Sequence, residues 1–322
     1  MLTVTLVATF AAAALWQQWR SVEVEAAERA RVQSAWMLTG ALDWSRLILR
    51  EDARSGGADH LAEPWAVPLN EARLSSFLAA DKNADAVEGN GREAFLSGQV
   101  SDLQARLNVT NLVDGSTVSE PALVRFGRLF ERLGLPTQQL NSLARQLLLA
   151  SQAASQGVGQ GEGGAAAGQA AAVTPLTPLM PQRVDQLVWL GLPPETLAVL
   201  GPHITLLPTR TPVNLNTASA EVIYASTPGL EMADAQKLVA ARERSHFRSL
   251  VDAGQLLGGP ADRFTDGQHS VNSRFFEVRG RLRLDQMVVQ ERSVLQRDGL
   301  AVRTLWRDRG VVTDGPAAAA RP

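Results

Sequence analysis

Apolar residues fill the start of the chain. Residues 1–16 (MLTVTLVATFAAAALW) carry no charge, no glycine and no proline. After Trp16 the apolar positions continue with a helical period. Val22, Ala26, Ala30, Ala35 or Trp36, Leu38, Leu42, Leu47 and Ile48 recur near every 3.6 residues, while Glu23, Glu25, Glu28, Arg29, Arg31, Arg46 and Arg50 fill the other face. One helix is predicted from the first residues to the stop at Ser55-Gly56-Gly57. Gly40 is its weak point, at about 1 kcal/mol against alanine. Roughly 50 residues of helix reach about 75 Å. A spanning helix needs roughly 20 apolar residues. The opening run is shorter, so either residues are expected ahead of Met1 or the run is a signal-peptide core. No basic residue precedes Arg20, and Trp16, Gln17, Gln18 and Trp19 stand where a cleavage site of small residues belongs. The two tryptophans suit a membrane–water interface. The pattern reads as a retained anchor carrying a soluble body, with a cleaved signal and a buried helix as the alternatives.

Beyond the anchor the periods change repeatedly. Residues 58–70 (ADHLAEPWAVPLN) are extended and broken by proline; a short helix is expected over Leu74–Ala80, and a polar loop from Asp81 to Gly91. Ala94–Asn108 alternates well enough for a strand. Pro121–Leu133 is amphipathic, with proline in its first turn and Gly134 after its end. A second helix is expected over Thr137–Ala153, capped by Thr137. Ser155–Val173 is a low-complexity run of Gly, Ala and Gln that buries no core. Short helical pieces follow at Val184–Leu190 and Pro194–Leu200. Residues 212–253 give helix, Pro228-Gly229 turn, helix, and a third helix led by Phe247-Arg248-Ser249-Leu250, the pattern of a helix–hairpin–helix. Thr217 or Ser219 caps the first of these helices, which runs through Ser226, and Met232–Arg244 forms the second. Asn214 and Asn216 are expected to bond local backbone and fix the entry turn. The tail alternates as strands over Ser270–Gly280, Arg281–Gln290, Glu291–Arg297 and Leu300–Asp308, joined at the last turn by Asp298-Gly299. Its buried face is expected to carry Val271, Phe275 or Phe276, Val278, Leu282, Leu284, Met287, Val289, Val294, Leu300, Val302 and Leu305. These strands are expected to join the one at Phe95–Leu107. The last residues, rich in Ala and Pro, are expected to be disordered.

Composition narrows the chemistry. The 322 residues allow two or three domains, and a formal charge of −2 gives no basic body for nucleic acid. Cysteine is absent, which excludes disulfides, cysteine-ligated zinc and cysteine nucleophiles. The four histidines, His60, His203, His246 and His269, form no HxxxH pair. No G-x-S-x-G or G-x-x-x-x-G-K segment occurs. The hairpin carries Glu231 and Asp234 where a phosphate-binding turn needs bare amides, and its Lys237, Arg242 and Arg244 sit among Glu231, Asp234 and Glu243. A packing hairpin is therefore favoured over a DNA-binding one. Asp81, Asn83 and Asp85 place hard oxygens at alternate positions, with Glu88 and Glu93 in reach, as calcium would want. Ala86 and Arg92 occupy the positions where a calcium loop needs Gly and Glu, so a solvated acidic loop competes with that reading. Asp59, Glu63 and Trp65 are expected to fix the extended segment against the body.

The apolar first helix, LAEPWAVP, SDLQARLNVTNL, PVNLNTASAEVIYA and the closing SVNSRFFEVRG…SVLQRDGLAVRTLWR occur in an order that resembles the K subunit of bacterial type II secretion systems, a minor pseudopilin family. The similarity extends from the first residue to about Arg309. It implies an α+β fold: a long N-terminal transmembrane and amphipathic helix, and a small antiparallel sheet forming a pseudopilin core. A large helical domain of two SAM-like, helix–hairpin–helix lobes is inserted into that core. The implied domains are the anchoring helix 1–55, the first part of the core 56–112 and a first lobe 113–211 containing the low-complexity loop 155–173. A second lobe 212–265, closing strands 266–310 and a disordered tail 311–322 complete them. It implies a non-enzymatic subunit in the inner membrane, its body in the periplasm, that joins pseudopilins I and J at the pseudopilus tip and supports export of folded proteins. A membrane-anchored DNA-uptake protein is the alternative. Family precursors begin with a basic leader ending in Gly, and none stands before this first helix, so the start is expected to be truncated or misplaced. Family members also bind calcium through acidic loops. The acidic segment common in their first lobe is here Leu147–Gly168, rich in Gln, Gly and Ala. The seam expected to meet the partner subunits is Val32, Trp36, Leu38 and Leu42.

Overall fold

The computed structural model describes residues 2–74, 94–158, 178–258, 263–284 and 287–312. Its elements begin with α1 (Leu2–Ser55), β1 (Leu69–Arg73), β2 (Ala94–Asp102), β3 (Leu107–Asn108), β4 (Val113–Asp114), β5 (Thr117–Val118), α2 (Glu120–Arg132) and α3 (Thr137–Val158). After them come α4 (Pro194–Leu200), β6 (Ile204–Thr205), β7 (Val213–Asn214), α5 (Ala220–Ser226), α6 (Met232–Arg244) and α7 (Leu250–Leu256). The chain closes with β8 (His269–Ser270), β9 (Phe275–Leu284), β10 (Met287–Asp298) and β11 (Ala301–Val312). Two compact units result. One holds Met1–Arg54, Pro64–Ser101 and Glu277–Pro322, the other Ser55–Glu63 and Asp102–Phe276.

The first unit is α1 on a five-stranded sheet of order β1-β2-β9-β10-β11. β1–β2 and β10–β11 pair antiparallel. The helix buries one seam, Ser34, Leu38, Leu42, Ser45 and Leu49, at spacings of three and four. Leu38 packs with Leu96, Leu282 and Val289 of the sheet. Each fully buried leucine contributes about 2 kcal/mol. The two seam serines do not break the apolar contact, because their hydroxyls donate back to Ala30 and Ala41 carbonyls at 2.7 and 2.9 Å. The approach is close: a Cβ at Gly280 would lie 3.2 Å from a Leu38 methyl. Charged residues inside the unit are paired. Glu277 is fully buried and accepts from Arg279 and Arg292. Glu291 pairs with Arg307 at 3.0 Å and with Arg309, and Arg297 with Asp52 at 2.6 Å. Arg46 reaches from α1 to the Val302 carbonyl at 2.9 Å.

The predicted tail strands differ from the observed ones. Three long strands replace four short ones, and β10 runs unbroken through Gln290-Glu291. Leu300 and Leu305, expected inside, are exposed. Leu300 sits in the turn, since Asp298 pairs with Ala301 and the two loop residues are Gly299 and Leu300. Leu305 is left without a cross-strand partner where the register shifts between Val294–Trp306 and Leu295–Thr304. The predicted strand Ala94–Asn108 ends at Asp102, whose carboxylate accepts from the Gln104 amide at 2.7 Å and turns the chain into a short 3-10 turn.

In the helical unit α2 buries Ala122, Phe126, Leu129 and Phe130 against a core that includes Leu143, Leu147, Ile223 and Leu238. Gly134, with φ 68°, closes α2. Arg128 pins α2 to the hairpin: it donates to the carbonyls of Tyr224 and Leu230 at 3.1 and 2.6 Å and lies 4.0 Å over the Tyr224 ring. Ser219, not Thr217, caps α5. Ser249 and Asp252 form a capping box on α7. Val184–Leu190 is a 3-10 helix closed by Gly191.

Candidate assembly site

The surface of α1 has two regimes. From Leu2 to Glu25 every described residue is exposed, including Leu6, Phe10, Trp16 and Trp19. No helix among the described residues is long and apolar enough to cross a membrane. From Ser34 onward one side is covered by the sheet. The four predicted partner-facing residues divide between the two sides: Leu38 and Leu42 are buried within the helix–sheet unit, whereas Val32 and Trp36 are 53% and 73% exposed. At 100° per residue, Val32, Trp36, Gly40 and Leu47 fall on the side opposite the buried seam. Leu47 is exposed too, and a side chain at Gly40 would meet nothing within 4 Å. This outward side carries exposed apolar residues at Val32, Trp36 and Leu47, with the charged Glu25, Arg29 and Asp43 among them.

The helical unit is organised by a buried polar junction. Asp102 accepts from Thr217 Oγ1 and Ser273 Oγ, both at 2.6 Å, and from Asn214 Nδ2 at 3.1 Å. Burial pushes its carboxyl pKa up, opposed by these hydrogen bonds and by the Gln104 amide. Asp59 accepts from the Ser273 amide at 2.6 Å, and its own amide donates to Val271 O at 2.9 Å. Glu63 accepts from the His60 amide at 2.8 Å. Asp59 and Glu63 therefore tie down the segment after α1, as expected; Trp65, buried in the helix–sheet unit, is fixed there. Asn214 bonds local backbone as expected, its side chain accepting from the Asn216 amide at 2.9 Å; Asn216, expected to do the same, instead reaches a residue 31 positions on. Asn216 then pairs with both the amide and the carbonyl of Phe247. Sequence reading missed Asp102, Asn108 and Ser273. Asn108 bonds Thr209 O, Thr211 Oγ1 and the Leu207 and Thr110 amides, all at 2.8–3.2 Å. The signal was present in SDLQARLNVTNL, where Asp and Asn interrupt a run of buried leucines.

The hairpin is not built to take a phosphate. Glu231 stands at the N-cap of α6 with Asp234 in its first turn, and both oppose an anion there. Lys237 pairs with Asp234 at 2.9 Å. Arg242 is turned inward to the Leu215 carbonyl at 2.6 Å, and burial lowers its pKa to about 10. The calcium candidates Asp81, Asn83 and Asp85, with Glu88 and Glu93, lie outside the described residues.

These features define a class: a long-helix α+β protein with a helical unit, in which the junction's polar groups bond the chain itself and Val32, Trp36 and Leu47 on the outer side of the helix are left open. Comparison with known proteins narrows it. Two family models, each described as type II secretion system (T2SS) protein K, match residues 105–209 and 213–272. The type II secretion system protein K of Pseudomonas aeruginosa is 28% identical over 323 aligned positions, covering 96% of this chain and 91% of that protein. A chain in the crystal structure of the GspK–GspI–GspJ complex from the enterotoxigenic Escherichia coli type 2 secretion system superposes with a TM-score of 0.57. It has 18% identity and covers 88% of this chain and 98% of that one. The chain belongs to the type II secretion system protein K family.

Proposed function

We propose that the chain is a non-enzymatic minor pseudopilin that caps the tip of the type II secretion pseudopilus and supports export of folded proteins across the outer membrane. The front of α1 holds it in the inner membrane, with the body in the periplasm. The outward stripe Val32, Trp36 and Leu47 packs against the helices of the I and J pseudopilins. Within the helical unit, 113–211 and 212–265 form two SAM-like lobes whose bulk stops further subunits from adding above. The observation that carries this reading is the pair of opposed faces on α1. One is satisfied by the chain's own sheet, and the other leaves Val32, Trp36 and Leu47 bare. Apolar surface of that extent on a helix calls for partner helices or lipid. The carboxylates at the hairpin weigh against a DNA-uptake role.

The test is co-purification of the full chain with the I and J pseudopilins. Trp36→Asp should leave the melting temperature unchanged, because Trp36 is exposed, and should cut recovery of the complex at least tenfold. Equal recovery would remove the stripe from the interface. Tight, salt-sensitive DNA binding in a mobility-shift assay would replace the reading altogether.

A further inference from the structure

The sheet of the helix–sheet unit has a second face, turned away from α1. Along β9, Val278, Leu282 and Leu284 are buried, while Arg279 and Arg281 between them are exposed. The outer face continues through the cross-strand pairs Arg73–Phe95 and Arg292–Asp308, and Arg283, 4.1 Å over the Phe95 ring, pairs there with Glu71 at 2.7 Å. On this face Arg73, Arg279, Arg281, Arg283 and Arg292 outnumber Glu71, Glu277 and Asp308, in a chain whose net charge is −2. A groove of about 660 Å³ crosses it, lined among others by Ser97, Gln99, Arg279, Arg281, Gln290 and Arg292. That is the size of a ligand-binding cleft. Two of its arginines are set in advance. The Nε groups of Arg279 and Arg292 both donate to Glu277, Arg292 at 2.5 Å. Glu277 is fully buried, whereas the two arginine side chains are 57% and 40% exposed. Trp306 backs Arg292, whose Cζ lies 5.3 Å from the ring centre. Among the described residues neither guanidinium makes another hydrogen bond, so the Nη donors of both are left for a second acceptor. One carboxylate shared by two guanidinium groups leaves positive charge over. Because both side chains are already held, little ordering remains to be done on binding.

We propose that this groove receives an acidic segment of a partner polypeptide, its carboxylates held by the Nη groups of Arg279 and Arg292. Charge complementarity selects the occupant. Planar guanidinium forks match carboxylates in shape as well as charge. The side-chain amides of Gln99 and Gln290, which make no hydrogen bond among the described residues, offer a donor and an acceptor each to a peptide main chain. Asp308, at the same groove, opposes a continuous phosphate backbone, whereas carboxylates spaced along a peptide can avoid it. The groove lies on the sheet and not on the outward side of α1, so this inference stands independently of the assembly reading.

The probe is a fluorescein-labelled octapeptide of alternating Glu and Gly, with a Gln and Gly octapeptide as its neutral counterpart. The full chain, in a neutral detergent at low salt, is titrated into each and binding is read by anisotropy. Arg279→Gln removes one fork and leaves Glu277 paired with Arg292. Gly310→Glu sets a carboxylate at the groove, at a position where an added side chain meets nothing within 4 Å. Arg31→Gln removes the same charge from the exposed surface of α1 and is the control. The Glu peptide should bind saturably and the Gln peptide should not. Affinity should fall at least tenfold in Arg279→Gln and in Gly310→Glu and stay level in the control, and added salt should weaken it. Should Arg279→Gln fail to fold, Gly310→Glu decides alone. No saturable binding by the wild-type chain, equal binding of the two peptides, or wild-type affinity in the folded groove variants overturns the proposal. Tighter, Arg279-dependent binding of inorganic phosphate or of a single-stranded oligonucleotide would mark a phosphate site and also overturn it. Each of these failures leaves co-purification with the I and J pseudopilins untouched.

Discussion

At the scale of residues, two buried titratable groups give the helical unit opposite responses to acid. His269 is held neutral: burial, then the nearby Arg125, lowers its pKa from 6.5 to about 4. Its Nε2 lies 3.0 Å from Thr227 Oγ1. The unfolded chain takes up a proton near pH 6.5 that the folded chain refuses until about 4. His269 therefore removes stability as pH falls through that window, by at most about 3 kcal/mol. Urea midpoints at pH 7 and 4.5 should separate less for His269→Gln than for wild type. Asp102 works the other way. Its folded pKa is raised above 3.8, chiefly by burial, so the folded state binds the proton first and wild type gains stability from this group as pH falls towards 3.8. Asp102→Asn should cost about 1–3 kcal/mol at pH 7, read from urea unfolding, because Thr217 and Ser273 lose a shared acceptor. The Asn214–Asn216 entry turn was legible because an Asn side chain bonding two residues ahead is a local event. The role of Asp102 in the junction was not, since its side-chain partners Asn214, Thr217 and Ser273 lie more than 100 positions away.

Elements were legible where one period dominates. The helix at Met232–Arg244 has the bounds read from the pattern, and α1 ends where Gly56-Gly57 predicted. β10 shows why the strands were harder. Its buried alternate positions are Val289, Glu291, Ser293, Leu295 and Arg297, so a reading of apolar residues alone breaks the strand where paired charges continue the inner face. The partner seam failed to resolve for a related reason. A helix apolar on two sides has one period and two phases, and spacing could not say that Leu38 and Leu42 belong inside while Val32 and Trp36 remain outside. Leu38→Ala should therefore cost about 2–4 kcal/mol in unfolding of the helix–sheet unit. The turn between β10 and β11 needs Gly299 at φ 56°. Gly299→Val should destabilise by about 1–2 kcal/mol in thermal unfolding, with the strands otherwise retained by circular dichroism.

At the scale of the whole molecule, the order of short segments along the chain pointed to the family when no single motif did, because each segment is short and carries little on its own. The strand order carries a further consequence. β2 and β9 are neighbours in one sheet, yet everything between Asp102 and Phe275 is threaded between them. Were that stretch a random coil, bringing its ends together would cost about 4–5 kcal/mol; folded, it delivers them already held by Asp102 and Ser273. Closure of the sheet is therefore expected to follow the folding of the inserted stretch. Pulse-labelled hydrogen exchange during refolding should protect the amides of α2 and α5 before those of β9, and weakening the Asp102 knot should slow closure of a sheet in which it pairs no strand.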